Sequence, residues 1–224
     1  MTDDVDLERA WTGVAAEVWR RRPGPLERLA ARLLGSPGLA RALTAMPSQL
    51  VAWFVATVAV LAAGVVATRS TGTAFVPLLA PALAGAGIAY AYGPGVDPAF
   101  ELASCMPVSH RTVLLVRALA VFAVNALVGV AAGVASGIAV DITFGWLVPM
   151  TAVCGCALAV ATAAKSAHVG VAAGLAAWTI TVLGGLAGTG SATVTVTDST
   201  LYLPYLAVAA AGVLAAVRMS KGPA

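Results

Sequence analysis

Charge is scarce in this chain. Asp, Glu, Lys and Arg account for only 10% of its 224 residues, against roughly 25% in a soluble domain. Seven Arg and six Asp or Glu precede Gln49, which leaves ten charged residues for everything beyond it. A water-facing surface is not built from so few charges, so a soluble globular domain is excluded there. Familiar chemical motifs are missing too. There is no Gly-x-x-x-x-Gly-Lys-Ser/Thr phosphate loop, so the chain does not cradle ATP in that way. Neither His-Glu-x-x-His nor Gly-x-Ser-x-Gly occurs, which removes the simplest hydrolase readings, and no catalytic residue is assigned. The three cysteines, Cys105, Cys154 and Cys156, form no pairing framework and read as small packing residues. His110 has no Cys, Asp or second His at ligand spacing, so no metal site is expected. The opening MTDDVDLERAWTGVA is acidic and carries neither a basic n-region nor an apolar h-region; no cleaved signal peptide is expected.

What the chain has is apolar length. Hydrophobic residues make up 60% of it. A helical span needs about 20 mostly apolar residues, and six stretches qualify: 50–68, 73–92, 113–140, 144–164, 169–188 and 201–217. The fold class is therefore an all-α polytopic membrane protein with six transmembrane helices. Residues 1–48 form a charged amphipathic helical segment, 49–218 the transmembrane domain and 219–224 a tail. Lys and Arg collect on the cytoplasmic side of membranes. With the amino terminus inside, the inner segments hold the arginine-rich start, His110, Arg111, Lys165, His168, Arg218 and Lys221, while the outer loops hold Arg69, Asp141 and Asp198. Both termini are expected in the cytoplasm, and the protein in a bacterial plasma membrane. The net charge of +3 thus reads as an orientation signal. Acids and bases nearly balance in the amino-terminal segment, so no nucleic-acid partner is expected.

Within the spans the most polar residues are Asn125, Thr179 and Thr181. Ion-coupled carriers keep ionisable groups at membrane depth, so proton coupling is disfavoured. Asn125 and Thr179 are candidate cavity-lining polar residues; for Asn125 the competing reading is an interhelical hydrogen bond. Pro77, Pro81, Pro149 and Pro204 are read as helix bends or hinges. Glycines at four-residue spacing, Gly129, Gly133 and Gly137, then Gly170 and Gly174, then Gly184 and Gly188, are candidate close-packing stripes, within one subunit or at a dimer seam. No internal repeat is evident.

The amino-terminal segment carries helix signals. Asp3, Asp4 and Asp6 near its start and Arg20, Arg21 and Arg22 before Pro23 complement a helix dipole. Leu7, Trp11, Val14, Val18 and Trp19 share a face. In PLERLAARLL, Leu26, Leu29, Leu33 and Leu34 lie on one side with Arg28 and Arg32 interleaved, and a third stretch covers 39–46. These read as helices in the inner membrane interface, in contact with lipid, that anchor the chain or bind a partner.

One polar passage interrupts the apolar chain: DPAFELASCMPVSHRTVLLVR, residues 97–117. Asp97 is suited to an N-cap, Pro98 to the first helical position, and Pro107 stops a helix near Cys105. Ser109 can cap a second helix carrying Arg111 and Arg117 and running to residue 140, about 46 Å at 1.5 Å per residue. The competing reading is an ordinary connection.

The run ELASCMPVSHRTVLLVR resembles the loop between the second and third spans of permease subunits of type-two ATP-binding-cassette exporters, especially small actinobacterial ones. The matching residues are Glu101, Leu102, Pro107, Val108, Ser109, Arg111 and Arg117. Six spans and an amphipathic amino-terminal helix fit the same resemblance. It implies that the loop 93–112 holds a coupling helix docking on a separate ATPase, with Asp97, Phe100, Glu101, Leu102, Met106 and Arg111 as coupling residues. It also implies a second permease copy or paralogue, and ATP and Mg on the ATPase rather than on this chain, which carries no cofactor. The last outer loop, TGSATVTVTDST, departs from the pattern, since it is short where many relatives place re-entrant helices. The function so implied is export driven by that ATPase, and the apolar interior of the spans suits a hydrophobic or amphipathic substrate better than a charged one. The alternatives are a non-transporting membrane anchor or interaction protein and a secondary carrier for a neutral substrate.

Overall fold

A computed structural model describes residues 8–9, 11–13, 24–37, 40, 47–92, 110–137 and 139–220. The chain divides into two compact units, Met1–Thr44 and Ala45–Ala224. In the first, helix α1 covers Pro25–Leu34. Pro25 occupies the first helical position, where a missing N–H costs nothing. Glu27 lies in the first turn, Arg32 in the last, and Gly35 ends the helix at φ +62°. Leu29, Arg28 and Arg32 are exposed. Of the other two expected amino-terminal helices, residues 8–9 and 11–13 are helical; 2–7, 14–22 and most of 39–46 lie outside the described residues.

The second unit is a helical bundle: α2 Pro47–Thr71, α3 Phe75–Ala89, α4 His110–Ser136, α5 Val140–Gly145, α6 Leu147–Ala164, α7 Ala167–Thr189, α8 Val194–Thr197 and α9 Tyr202–Met219. No strand occurs among the described residues. Six helices are long and apolar enough to cross a membrane: Val51–Thr71, Phe75–Tyr92, Arg111–Ser136, Leu147–Ala164, Ala167–Thr189 and Ser199–Met219. The all-α, six-span class therefore holds.

The second and fourth spans are the centre. They are 61% and 56% buried, against 11–28% for the other four. Helix α6 packs on α3, α7 and α9, and α3 additionally on α2, α4 and α7. Water does not drive helices together inside a bilayer, so close backbone approach and hydrogen bonds must do so. Both occur. Gly170 and Gly174 of α7 sit on Ala161 and Ala157 of α6, and Gly155 of α6 meets Gly212 of α9. The Trp178 indole N–H of α7 donates to the Leu78 carbonyl of α3 at 2.7 Å. The Arg69 guanidinium donates to the Ala135 carbonyl at 2.6 Å, placing a cation where α2 and α4 both end.

Three sequence expectations change here. The third span does not run to residue 140: Gly137 adopts φ +76°, ending α4 at Ser136, and α5 begins separately at Val140. At 27 residues, α4 is about 40 Å long. Gly137 has open space around it, so it terminates a helix rather than packs one; Gly184 and Gly188 likewise face nothing within 4 Å. Among the four prolines, Pro77, Pro149 and Pro204 are each the third residue of a helix, where the N–H has no intrahelical partner in any case. Only Pro81 interrupts a helix interior.

Helices α5 and α8 join odd to even spans and so lie at the same end of the bundle as the α2–α3 turn. They pack on each other. A methyl built on Gly145 would come 2.7 Å from the Val196 carbonyl oxygen, and Val196 is fully buried. The short loop between the fifth and sixth spans contains two brief helical turns, Val194–Thr197 and Ser199–Leu201. At the opposite end, Lys165 turns the chain between α6 and α7 at φ 51°, and Tyr90 meets His168 edge-on at 5.9 Å between ring centroids.

Candidate functional site

The sequence-predicted coupling residues Asp97, Phe100, Glu101, Leu102 and Met106 lie outside the described residues, as does Cys105. Arg111 stands in the first turn of α4 and is half-buried.

The two polar residues expected in a cavity are placed differently from each other. Thr179 is on an exposed face of α7. Asn125 is 2% exposed, and its amide donates at 2.8 Å to the Val121 carbonyl of its own helix, not to a neighbouring span. The side-chain oxygen Oδ1 has no hydrogen-bond partner among the described residues, and neither does Nε1 of the fully buried Trp146. Gly129, one turn beyond Asn125, is pressed against that indole: a methyl there would lie 2.5 Å from the ring. Gly133 is buried on the same helix. The apolar core thus holds one unsatisfied acceptor and one unsatisfied donor among the described residues. Cys154 is buried and Cys156 half-buried; both are free thiols.

The concave feature that the sequence did not announce is a groove of about 450 Å³ between α7 and α9. One wall is Thr181, Gly185 and Thr189 of α7; the other is Pro204, Tyr205 and Val208 of α9. Val194, Thr195, Asp198 and Leu201, from α8 and the turn after it, line it from the connecting loop. Gly185 makes the arrangement possible, because a methyl there would overlap the Thr195 side chain. The Tyr205 hydroxyl donates to the Thr195 carbonyl at 3.0 Å, fastening α8 to α9.

Asp198 stands at the mouth. Its Oδ1 accepts from the Thr200 amide at 2.9 Å and from the Thr200 hydroxyl at 2.7 Å, an N-cap on the turn Ser199–Leu201. The Thr200 side-chain hydrogen bond, aided by the backbone one, holds this carboxyl below the usual carboxylate range. The Asp-Ser-Thr triplet was the available sequence signal, a capping signature inside a threonine-rich loop. No three His, Cys, Asp or Glu residues gather in metal-ligand geometry among the described residues. Comparison with protein families, curated proteins and solved structures finds no match.

Proposed function

We propose that this chain is the membrane-embedded permease subunit of an ATP-binding-cassette exporter, in a bacterial plasma membrane with both termini cytoplasmic. The observation that carries the reading is the length of α4. At 27 residues it reaches about 40 Å, whereas the hydrocarbon core is about 30 Å thick. The excess is met by tilt or by first turns that extend past the bilayer; on this reading they extend, just after the 97–109 passage that resembles a coupling helix. Arg111, Lys165, His168 and Arg218 gather at that end, while Arg69 and Asp198 occupy the other. This asymmetry supports the α4 start as the cytoplasmic end, by the Lys/Arg bias. On this reading the ATPase supplies ATP and Mg chemistry, a second permease copy or paralogue completes the pathway, and the substrate is hydrophobic or amphipathic. The largely charge-free interior supports such a substrate over a charged solute.

The test is purification in mild detergent with mass spectrometry of copurifying proteins. A near-stoichiometric ATPase carrying a phosphate loop, lost when Glu101→Arg is introduced without loss of membrane insertion, is the expected result. Retention of full coupling by Glu101→Arg sinks the coupling assignment. The separately compact amino-terminal unit favours one rival, an interaction protein, which predicts that deleting residues 1–44 abolishes partner capture while Glu101→Arg does not.

A further inference from the structure

Hydrogen-bond accounting around the α7–α9 groove defines what it can hold. The Thr181 hydroxyl donates to Ala177, Thr189 to Gly185, Thr195 to Ala192 and Tyr205 to Thr195, all at backbone carbonyls. Each of these hydroxyls spends its hydrogen within the protein and keeps only acceptor capacity, part of which, at Thr189, the Ser191 amide uses. Asp198 adds a carboxylate, and no Lys, Arg or His is among the lining residues. A polar edge made only of acceptors, with one negative charge and no cation, repels an anionic head and leaves a neutral acceptor unsatisfied. It suits a ligand that brings donors and positive charge.

Depth and shape fix the rest of that ligand. Asp198 immediately precedes the sixth span, Ser199–Met219, and so stands at interfacial depth. From Leu201 to Val208 the apolar wall continues inward for about 10 Å. The groove's volume of about 450 Å³ lies within the range of small-molecule sites. Both bordering helices are largely exposed on their outer faces, with α9's span only 11% buried, so access from the bilayer is direct.

We propose that the groove binds an amphiphile with a protonated amine head and a single apolar chain, the head at Asp198 and the chain along Leu201, Pro204 and Val208. The proposal stands apart from the ATPase reading, since binding is measured on this chain alone.

The test uses the full chain in phosphatidylcholine nanodiscs, with empty discs as the blank and radiolabelled dodecylamine and dodecanoate as probes. Saturable dodecylamine binding, roughly tenfold or more tighter than dodecanoate, is expected from the loss of a charge-assisted contact. Asp198→Asn keeps the oxygen that caps Thr200 while removing the charge, and should weaken dodecylamine binding by a similar factor. Val208→Trp fills the groove from an exposed position and should abolish saturation; its elution profile and helicity report whether it folds. Equal binding of the two probes, or unchanged binding by Asp198→Asn, overturns the proposal. Lipid analysis of the purified protein separates the sources: the single-chain lysophosphatidylethanolamine enriched over lysophosphatidylglycerol and lost in Val208→Trp identifies a resident lipid. Dodecylamine binding without such enrichment identifies a free amphiphile.

Discussion

Gly155 and Gly212 bring the fourth and sixth spans together backbone to backbone. A methyl on Gly212 would lie 2.5 Å from the Gly155 carbonyl, and one on Gly155 would lie 2.9 Å from the Ala209 carbonyl oxygen. Neither neighbour is the yielding end of a side chain. Helix α9 packs chiefly on α6, so this seam holds it. Gly212→Ala should lower stability by about 1–3 kcal/mol through overpacking, and Gly212→Val by more. Membrane insertion should be unchanged. Thermal unfolding of the purified variants, alongside their yield in the membrane fraction, checks both parts; an unaltered midpoint for Gly212→Val would refute the seam.

Asn125 predicts the opposite direction. A buried acceptor with no donor costs about 1–3 kcal/mol relative to a satisfied group. Asn125→Leu removes the orphan and keeps most of the volume, so its unfolding midpoint should rise. Asn125→Ala removes the orphan but leaves a void, and should fall below Asn125→Leu. If Asn125→Leu destabilises instead, the oxygen has a partner in the membrane-embedded protein.

Much of this architecture was legible in the sequence because hydropathy reports burial in lipid directly. All six spans fall where apolar runs of the required length occur. Boundaries were less legible. The run 113–140 is apolar throughout, and hydropathy does not register that Gly137 turns left-handed, so one span absorbed the end of α4 and the start of α5. Misplaced starts had a second effect: Pro149 looked like a kink because the fourth span was begun at residue 144, ahead of the true helix at Leu147.

The packing contacts divide by how much pattern they leave. Gly170 and Gly174 repeat at helical spacing along one helix and so are visible. Gly155 and Gly212 are single glycines on different helices, and only the fold pairs them. The α7–α9 groove was illegible for the same reason, as it needs Gly185 to admit Thr195 across a turn. Helix α8, VTVT, is β-branched throughout, a composition that disfavours a helix in isolation. Burial of Thr195 and Val196 against the bundle overrides that preference.

The Asp198 cap carries a pH dependence. Its carboxyl titrates below the ordinary carboxylate range in the folded protein, so the folded state favours the ionised form. The resulting stabilisation is present at neutral pH and fades as acidification carries the group through its lowered folded value. Amide exchange at Thr200 should be slow at neutral pH and accelerate, relative to neighbouring amides, in acid. Asp198→Asn should remove that acid-specific acceleration, since the amide does not titrate. Identical pH profiles for the two proteins would contradict the cap.

The central position of the second span has a consequence for biosynthesis. Helix α3 is packed by α6 and α7, which are translated roughly 60 to 100 residues after it, about 3–20 s at ordinary elongation rates. During that interval the hydrogen-bond partner of Leu78 does not yet exist, and the least apolar of the six spans must wait in the bilayer with only α2 and then α4 beside it. The Trp178 contact is therefore a late latch. Ribosome-stalled chains ending before Ala167 should hold the second span less firmly in the membrane than full-length chains do.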